Sequence, residues 1–395
     1  MNKKLLKILT LIITPVLILA LATNIMLRKV PDHIYANEDV EAMSLLPDVG
    51  PFNTVKYDNQ KLNVNLLGVI PIKSFEVCKV KDVEVTLGGN SVGVRLSSQG
   101  ALVVGHSDIN INNTRMESPA EKAGIQLGDL IVQIDDIKIE NSRDVISTIR
   151  NSKESLVNIT FYRDGNKMTK QVNLLKEEGS DYKLGLWVRD STAGVGTLTF
   201  YDENTGKFAA LGHPVTDGDT NKPFTIKNGD LLESSIISVR KGEKGSPGEL
   251  KGIFVDDENS IGSIEKNTQC GIFGEGKKEL KDSLQSTKVK VGFRDEIKLG
   301  KASIITTVDE NGPKEYEIEI MKVLQQDTPG PKSMLIKVTD EELLSKTGGI
   351  VQGMSGSPIL QNGKIVGAVT HVLINKPDVG YGIYIDWMLQ DAGVI

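Results

Sequence analysis

The sequence predicts a mostly β fold with one short α+β segment embedded in it and a single apolar helix ahead of it. Three observations predict this. The chain carries 39 glycines in 395 residues, with 39% hydrophobic, 25% charged and 5% aromatic residues, the composition of a folded, turn-rich protein. Residues 176–395 are a succession of short apolar runs separated by turn signals, among them "GVGTLTFYDENTGKFAALGH", "KASIITTVDENGPKEYEIEIMKV" and "SPILQNGKIVGAVTHVL". Strands this short and regular make a barrel or a sandwich. Neither heptads nor a helix–strand alternation is present, which argues against a coiled coil and a parallel α/β sheet. The net charge of −6 is spread without a long basic block, so the electrostatic footprint of a nucleic-acid binder is missing.

At the N-terminus, Lys3, Lys4 and Lys7 precede "ILTLIITPVLILALATNIML", residues 8–27. That is about the 20 apolar residues an α-helix needs to cross a bilayer. Pro15 inside the run is tolerated better in a membrane helix than in a soluble one. Two readings stand. "ALA" at 20–22 has the small-x-small spacing of a signal-peptide cleavage site, whereas the run continues to Leu27 and is closed by Arg28 and Lys29, as in an uncleaved anchor. In both, the lysines stay on the cytoplasmic side and the rest of the chain is exported. The two cysteines, Cys78 and Cys270, fall in different segments. Neither a disulfide framework nor a Cys/His zinc site is expected, and nothing calls for a metal or cofactor.

After this first segment, residues 1–29, the chain divides into three. Residues 30–90 read as a tether followed by short strands: 30–60 are polar and proline-containing, and "KLNVNLLGVIPIKSFEV" alternates like two or three strands. Residues 91–175 hold a strand, "VGVRLSSQGALVVG", and a short helix at 118–124, "SPAEKAG", started by Ser118, Pro119 and Glu121 and stopped by Gly124. A second helix opens after Asn141 and Ser142 and places Val145, Ile146 and Ile149 on one face. With "SPAEKAGIQLGDLIVQIDD" this segment resembles a PDZ domain of the kind attached to HtrA-type proteases. The resemblance implies a groove between the second helix and a strand near Ser91–Leu96, where an extended peptide adds as a further strand along Ser91, Val92, Gly93 and Val94.

Candidate chemistry lies in the last segment, 176–395. Of four histidines, His33 falls in the expected tether and His106 in the PDZ-like segment, leaving His213 and His371. Ser355 sits in "GGIVQGMSGSPI", framed by Gly348, Gly349, Gly353 and Gly356. Glycines cost conformational entropy, so such a cluster means a backbone at positive φ or in close approach. Here it lets the N–H groups of Gly353 and Ser355 converge as an oxyanion hole. A serine hydroxyl needs a base, and His213, at the end of an apolar strand, supplies one suited to neutral pH. A carboxylate behind the imidazole would complete a triad. Asp217, Asp219, Asp256, Asp295, Asp309 and Asp340 all lie between the two, with Glu341 and Glu342 adjacent to the last, and spacing alone does not choose among them.

The run "GMSGSPILQNGKIVGAVTHV" resembles the nucleophile segment of chymotrypsin-like serine proteases. Together with the apolar N-terminus, the PDZ-like segment, "GTLTFYDENTGKFAALGHPVTD" and "GGIVQGMSGSPI", the chain is similar over essentially its whole length to the SpoIVB peptidase family. The resemblance implies a chymotrypsin-like double β-barrel over 176–395, acting as a serine endopeptidase of sporulation. Carried over by position, Ser355 is the nucleophile, His213 the base and Asp340 the acid, with Ala368–Val372 as the wall along which substrate lies. It further implies secretion into the space between the forespore membranes, self-cleavage, and cleavage of a membrane-associated regulator of an intramembrane protease that triggers sigma factor precursor processing. The rival expectation from another class is a non-catalytic, membrane-tethered PDZ scaffold that binds peptides.

Overall fold

The computed structural model describes residues 3–395 apart from 29, 31, 39, 47, 48, 81, 82, 285, 286, 325 and 327. The first element is a helix, Lys3–Leu27, with Pro15 inside it. Among the described residues, no helix is long and apolar enough to cross a membrane.

Residues 30–60 are not a tether. His33–Asn37 and Asn53–Asp58 join Lys61–Leu66 and Ile70–Val80 in a four-stranded sheet, ordered first, fourth, third, second, with the first strand parallel to the fourth. Its core is Leu27, Ile34, Leu62, Val64, Phe75 and Val77. The sequence concealed this because "HIYAN" is only five residues long, and its inward side chains find their partner in Val77, forty-three positions on, at the register Ile34↔Val77. On its far side the strand meets the last domain: Tyr35 packs against that core, and Asn37 Nδ2 donates to Glu296 Oε1 at 2.9 Å.

The PDZ-like unit has its own core of Ala101, Val103, Ala120, Ile125, Ile131, Val145, Ile149, Phe161 and Val172. Both helices form as the caps dictate. Ser118 Oγ accepts the Glu121 N–H at 3.2 Å ahead of Pro119–Lys122, and Gly124 ends that helix at φ +83°. Asn141 and Asp144 make a reciprocal capping box at the start of Ser142–Arg150.

Two further cores define the C-terminal domain. Val92, Val94, Leu96, Leu198, Phe208, Leu211, Leu231, Ile264 and Ile272 fill the first. Ile304, Tyr316, Ile318, Met334, Ile336, Ile359, Val369 and Ile383 lie in the second. No linker separates the PDZ-like unit from the first core. The strand Leu186–Asp202 runs antiparallel to Ser91–His106, pairing with Leu102–His106 inside the PDZ-like unit and with Ser91–Ser97 inside the barrel. Each strand therefore belongs to both bodies.

Candidate active site

Ser355 stands on a loop between the helix Glu341–Thr347 and the strand Pro358–Gln361. All four framing glycines adopt positive φ: +74° at Gly348, +135° at Gly349, +97° at Gly353 and +97° at Gly356. They also meet backbone closely. A Cβ on Gly356 would stand 2.0 Å from the Thr197 carbonyl oxygen, and one on Gly349 2.1 Å from that of Pro377. The loop is clamped onto the strand Leu186–Asp202: the Thr197 N–H donates to the Ser355 carbonyl at 2.9 Å, Thr197 Oγ1 to the Gly353 carbonyl at 2.8 Å, and Thr199 Oγ1 to the Gly356 carbonyl at 2.8 Å. The N–H groups of Gly353 and Ser355 find no acceptor among the described residues, which leaves both free for a developing oxyanion.

His213 reaches the cleft from the end of another strand. After the strand Lys207–Ala210, Leu211 at φ +69° and Gly212 at φ +70° turn the chain. A non-glycine residue held in the left-handed region costs about 1–3 kcal/mol and is found where a site must be shaped. Nδ1 of His213 lies 2.8 Å from the Pro214 carbonyl oxygen. A carbonyl can only accept, so Nδ1 carries the proton and Nε2 keeps its lone pair, the tautomer a general base requires. Burial holds His213 below its ordinary pKa of 6.5, the bond to Pro214 opposing it in part.

The two groups share a cleft of about 730 Å³, lined also by Thr192–Val195, Gly353, Thr370, His371 and Lys332. His371 packs on His213 with ring centroids 4.9 Å apart, and its buried Nδ1 has no partner. Burial first, then the neighbouring His213 and Lys332, push His371 down to about 4. The unfolded chain therefore protonates this ring as pH falls below 6.5, while the folded chain resists until about 4. His371 thus contributes stability above 6.5 that is lost across that window, by at most about 1.4 kcal/mol per pH unit. Urea midpoints at pH 7 and pH 5 should differ more in the parent than in His371→Phe. The acid limb of kcat/KM, set by His213, should lie below 6.5.

Asp340, the expected triad acid, is not brought to His213 in this structure. It is the N-cap of Glu341–Thr347: Oδ1 accepts the Leu343 N–H at 2.9 Å and Oδ2 the Glu317 N–H at 3.3 Å. Asp340→Ala should cost about 1 kcal/mol of stability and leave kcat on a short peptide near the parent value, read by urea unfolding and initial rates. Asp217 is likewise occupied, with Oδ1 on the N–H groups of Asp219 and Thr220 and Oδ2 on Arg189 Nη1 at 2.9 Å. Among the described residues, no carboxylate lines the cleft. In the resting state the Ser355 hydroxyl donates to the Thr370 carbonyl at 2.7 Å. His33 lies beside Glu76, and His106 Nε2 is 2.9 Å from the Ile125 carbonyl oxygen.

The expected peptide site along Ser91, Val92, Gly93 and Val94 is also corrected. That stretch is paired on both edges, with Gly194–Thr197 on one side and Leu231–Glu233 on the other, so no edge is free for a peptide. Val94 lines the catalytic cleft instead, and a Cβ on Gly93 would meet the Phe254 ring at 2.5 Å. The groove beside the helix Ser142–Arg150 is walled by Leu184–Val188, across from Val145, Ile146 and Ile149, in a cavity of about 700 Å³. Its sequence signal was "KLGLWV", residues 183–188, a glycine at φ +71° leading an apolar strand just beyond the PDZ-like segment.

A cleft that holds Ser355 and His213, set in a β domain with two cores and a PDZ-like unit spliced into its strands, is the arrangement a serine-type peptidase needs. The SpoIVB peptidase S55 profile matches residues 180–389, more than half of the chain, and the chain belongs to that family. A PDZ domain profile matches residues 90–174. A probable CtpA-like serine protease of Staphylococcus epidermidis (strain ATCC 35984) is 22% identical over 297 residues, covering 71% of this chain and 55% of the relative. Another, from strain ATCC 12228, is 23% identical over 215 residues, covering 53% and 39%. The chain thus spans about half the length, or less, of the curated relatives it matches. Among solved structures, the PDZ domain of the SdrC-like protein (Lmo2051) from Listeria monocytogenes is 20% identical, covering 24% of this chain and 90% of that one, at a TM-score of 0.18. The active form of the Rv3671c protease from M. tuberculosis is 12% identical, covering 51% and 75%, at 0.30.

Proposed function

We propose that this chain is a serine endopeptidase whose chemistry rests on Ser355 and His213, with the peptide backbone in place of a triad carboxylate. The observation that carries it is the free pair of N–H groups at Gly353 and Ser355 beside a histidine held in the base tautomer. For reaction the Ser355 hydroxyl leaves the Thr370 carbonyl and turns to His213 Nε2, which takes its proton as Oγ attacks the scissile carbonyl. The oxyanion is received by the two N–H groups, His213 returns the proton to the leaving amine, and water then releases the acyl group by the same steps. The Pro214 carbonyl keeps Nδ1–H in place throughout. Labelling with a fluorophosphonate, dependent on Ser355, tests the reading. The rival scaffold reading draws on the resting hydroxyl, bonded to the Thr370 carbonyl, and it requires no labelling.

Membership of the family supports the finer reading: export, anchoring by the apolar run 8–27, a place between the forespore membranes, self-cleavage, and cleavage of a membrane-associated regulator that triggers sigma factor processing. Terminal sequencing of the chain and of co-expressed candidate substrates tests it. Peptide recruitment belongs to the groove at Leu184–Val188, where an extended ligand pairs with the strand opposite Ile146. Ile146 is 54% exposed there. Ile146→Asp should weaken a C-terminal peptide ligand at least tenfold by fluorescence polarisation and leave hydrolysis of a short unattached peptide unchanged.

A further inference from the structure

The hairpin joining Lys61–Leu66 to Ile70–Val80 turns through Leu67 at φ +53° and Gly68 at φ +76°. Tight hairpin turns with two positive φ values favour Asn, Asp and Gly, whose short side chains tolerate the conformation and whose polarity suits water. Here the tip is Leu66-Leu67-Gly68-Val69-Ile70. Leu67 is 52% exposed and Val69 79%, and Phe52, 54% exposed, is joined to them through its carbonyl, which accepts the Leu67 N–H at 2.7 Å. A strained turn bearing two exposed apolar side chains, Leu67 and Val69, with the exposed Phe52 beside it, is costly in water.

Its place in the fold supplies the reason. Asn53, next to Phe52, donates through Nδ2 to Thr23 Oγ1 at 3.0 Å, and Lys73 Nζ donates to the Val30 carbonyl at 3.2 Å, so the sheet is pinned to the last turn of the N-terminal helix. Thr23 lies about 6 Å along the axis before Leu27, at 1.5 Å per residue. The tip therefore flanks the helix at the depth of its final turn, where Leu21 and Ile25 are also exposed. Residues 49–75 carry Lys56, Lys61 and Lys73 against Asp58, and Lys73 is paired with Asp32 at 3.0 Å, which leaves a small positive excess facing an anionic lipid surface.

We propose that Phe52, Leu67 and Val69 form a lipid-interface contact, seated in the headgroup and acyl boundary of the bilayer that holds the N-terminal helix. The contact fixes the height and tilt of the peptidase over the membrane. It rests on the anchoring reading, and the experiment separates the two. Full-length Val69→Trp is reconstituted into vesicles of phosphatidylcholine and phosphatidylglycerol, with and without brominated acyl chains. The added emission should be blue-shifted and at least halved by the brominated lipid, while the parent emission from Trp187 and Trp387 is unchanged. Chain that co-floats with the vesicles and resists carbonate, yet shows water-like, unquenched emission at position 69, would overturn the contact and leave the anchor standing. Chain that fails to co-float would overturn both. A detergent-solubilised dimer abolished by Leu67→Asp would assign the patch to a second copy and overturn the lipid contact. Hydrolysis of a short peptide should be unchanged in both variants.

Discussion

Ser355→Ala should fold as the parent does and lose peptide hydrolysis by roughly three to six orders of magnitude, as removal of a covalent nucleophile does. The fold is expected to survive because the hydroxyl contributes one hydrogen bond, to the Thr370 carbonyl, worth about 0.5–1.5 kcal/mol. The loop itself is held by Thr197 and Thr199 and by buried Met354, none of which the substitution touches. Residual cleavage from the oxyanion N–H groups and substrate binding is expected. Initial rates on one peptide, with urea unfolding run in parallel, decide it, and cleavage at the parent rate would remove Ser355 from the chemistry.

His213→Ala should be as damaging as Ser355→Ala, and the double variant no worse than either, because members of one catalytic unit are not additive. The comparison with Asp340→Ala is the sharper part. With Asp340 committed to a helix cap and the Pro214 carbonyl behind His213, the two variants should differ in kcat by about a thousandfold or more. A loss at Asp340 equal to that at His213 would mean that the cap releases its carboxylate to the imidazole during turnover, and the backbone account would fall.

What could be read beforehand, and what could not, follows from the range of the forces involved. The glycines around Ser355 were legible because positive φ is a local demand that only glycine meets cheaply. The two PDZ-like helices were legible because caps and apolar faces act within one turn. The place of Asp340 was not legible because a helix N-cap and a triad acid both ask for a short carboxylate, and only the fold says which backbone N–H groups reach it. The groove strand was misplaced because Ser91–Leu96 and Leu184–Val188 are each glycine-bearing and apolar, and which of them keeps a free edge depends on pairing with Asn228–Glu233, more than a hundred residues away from the first. The strand His33–Asn37 was missed for the same reason, since its partner in the sheet is distant in sequence.

The two strands shared by the PDZ-like unit and the barrel have a metrical consequence. From Trp187 in the groove to Thr197 beneath the nucleophile loop the chain is one strand of eleven residues, with irregularities at Trp187/Val188 and Arg189/Ser191, a span of at most about 33 Å at 3.3 Å per residue. Because one strand carries both ends, groove and cleft form a ruler with a fixed upper length. A substrate held by its C-terminus in the groove and cut by the same molecule needs about ten extended residues between its end and the scissile bond. Shorter tails leave the bond out of reach, so their cleavage falls to a neighbouring copy and becomes second order in enzyme.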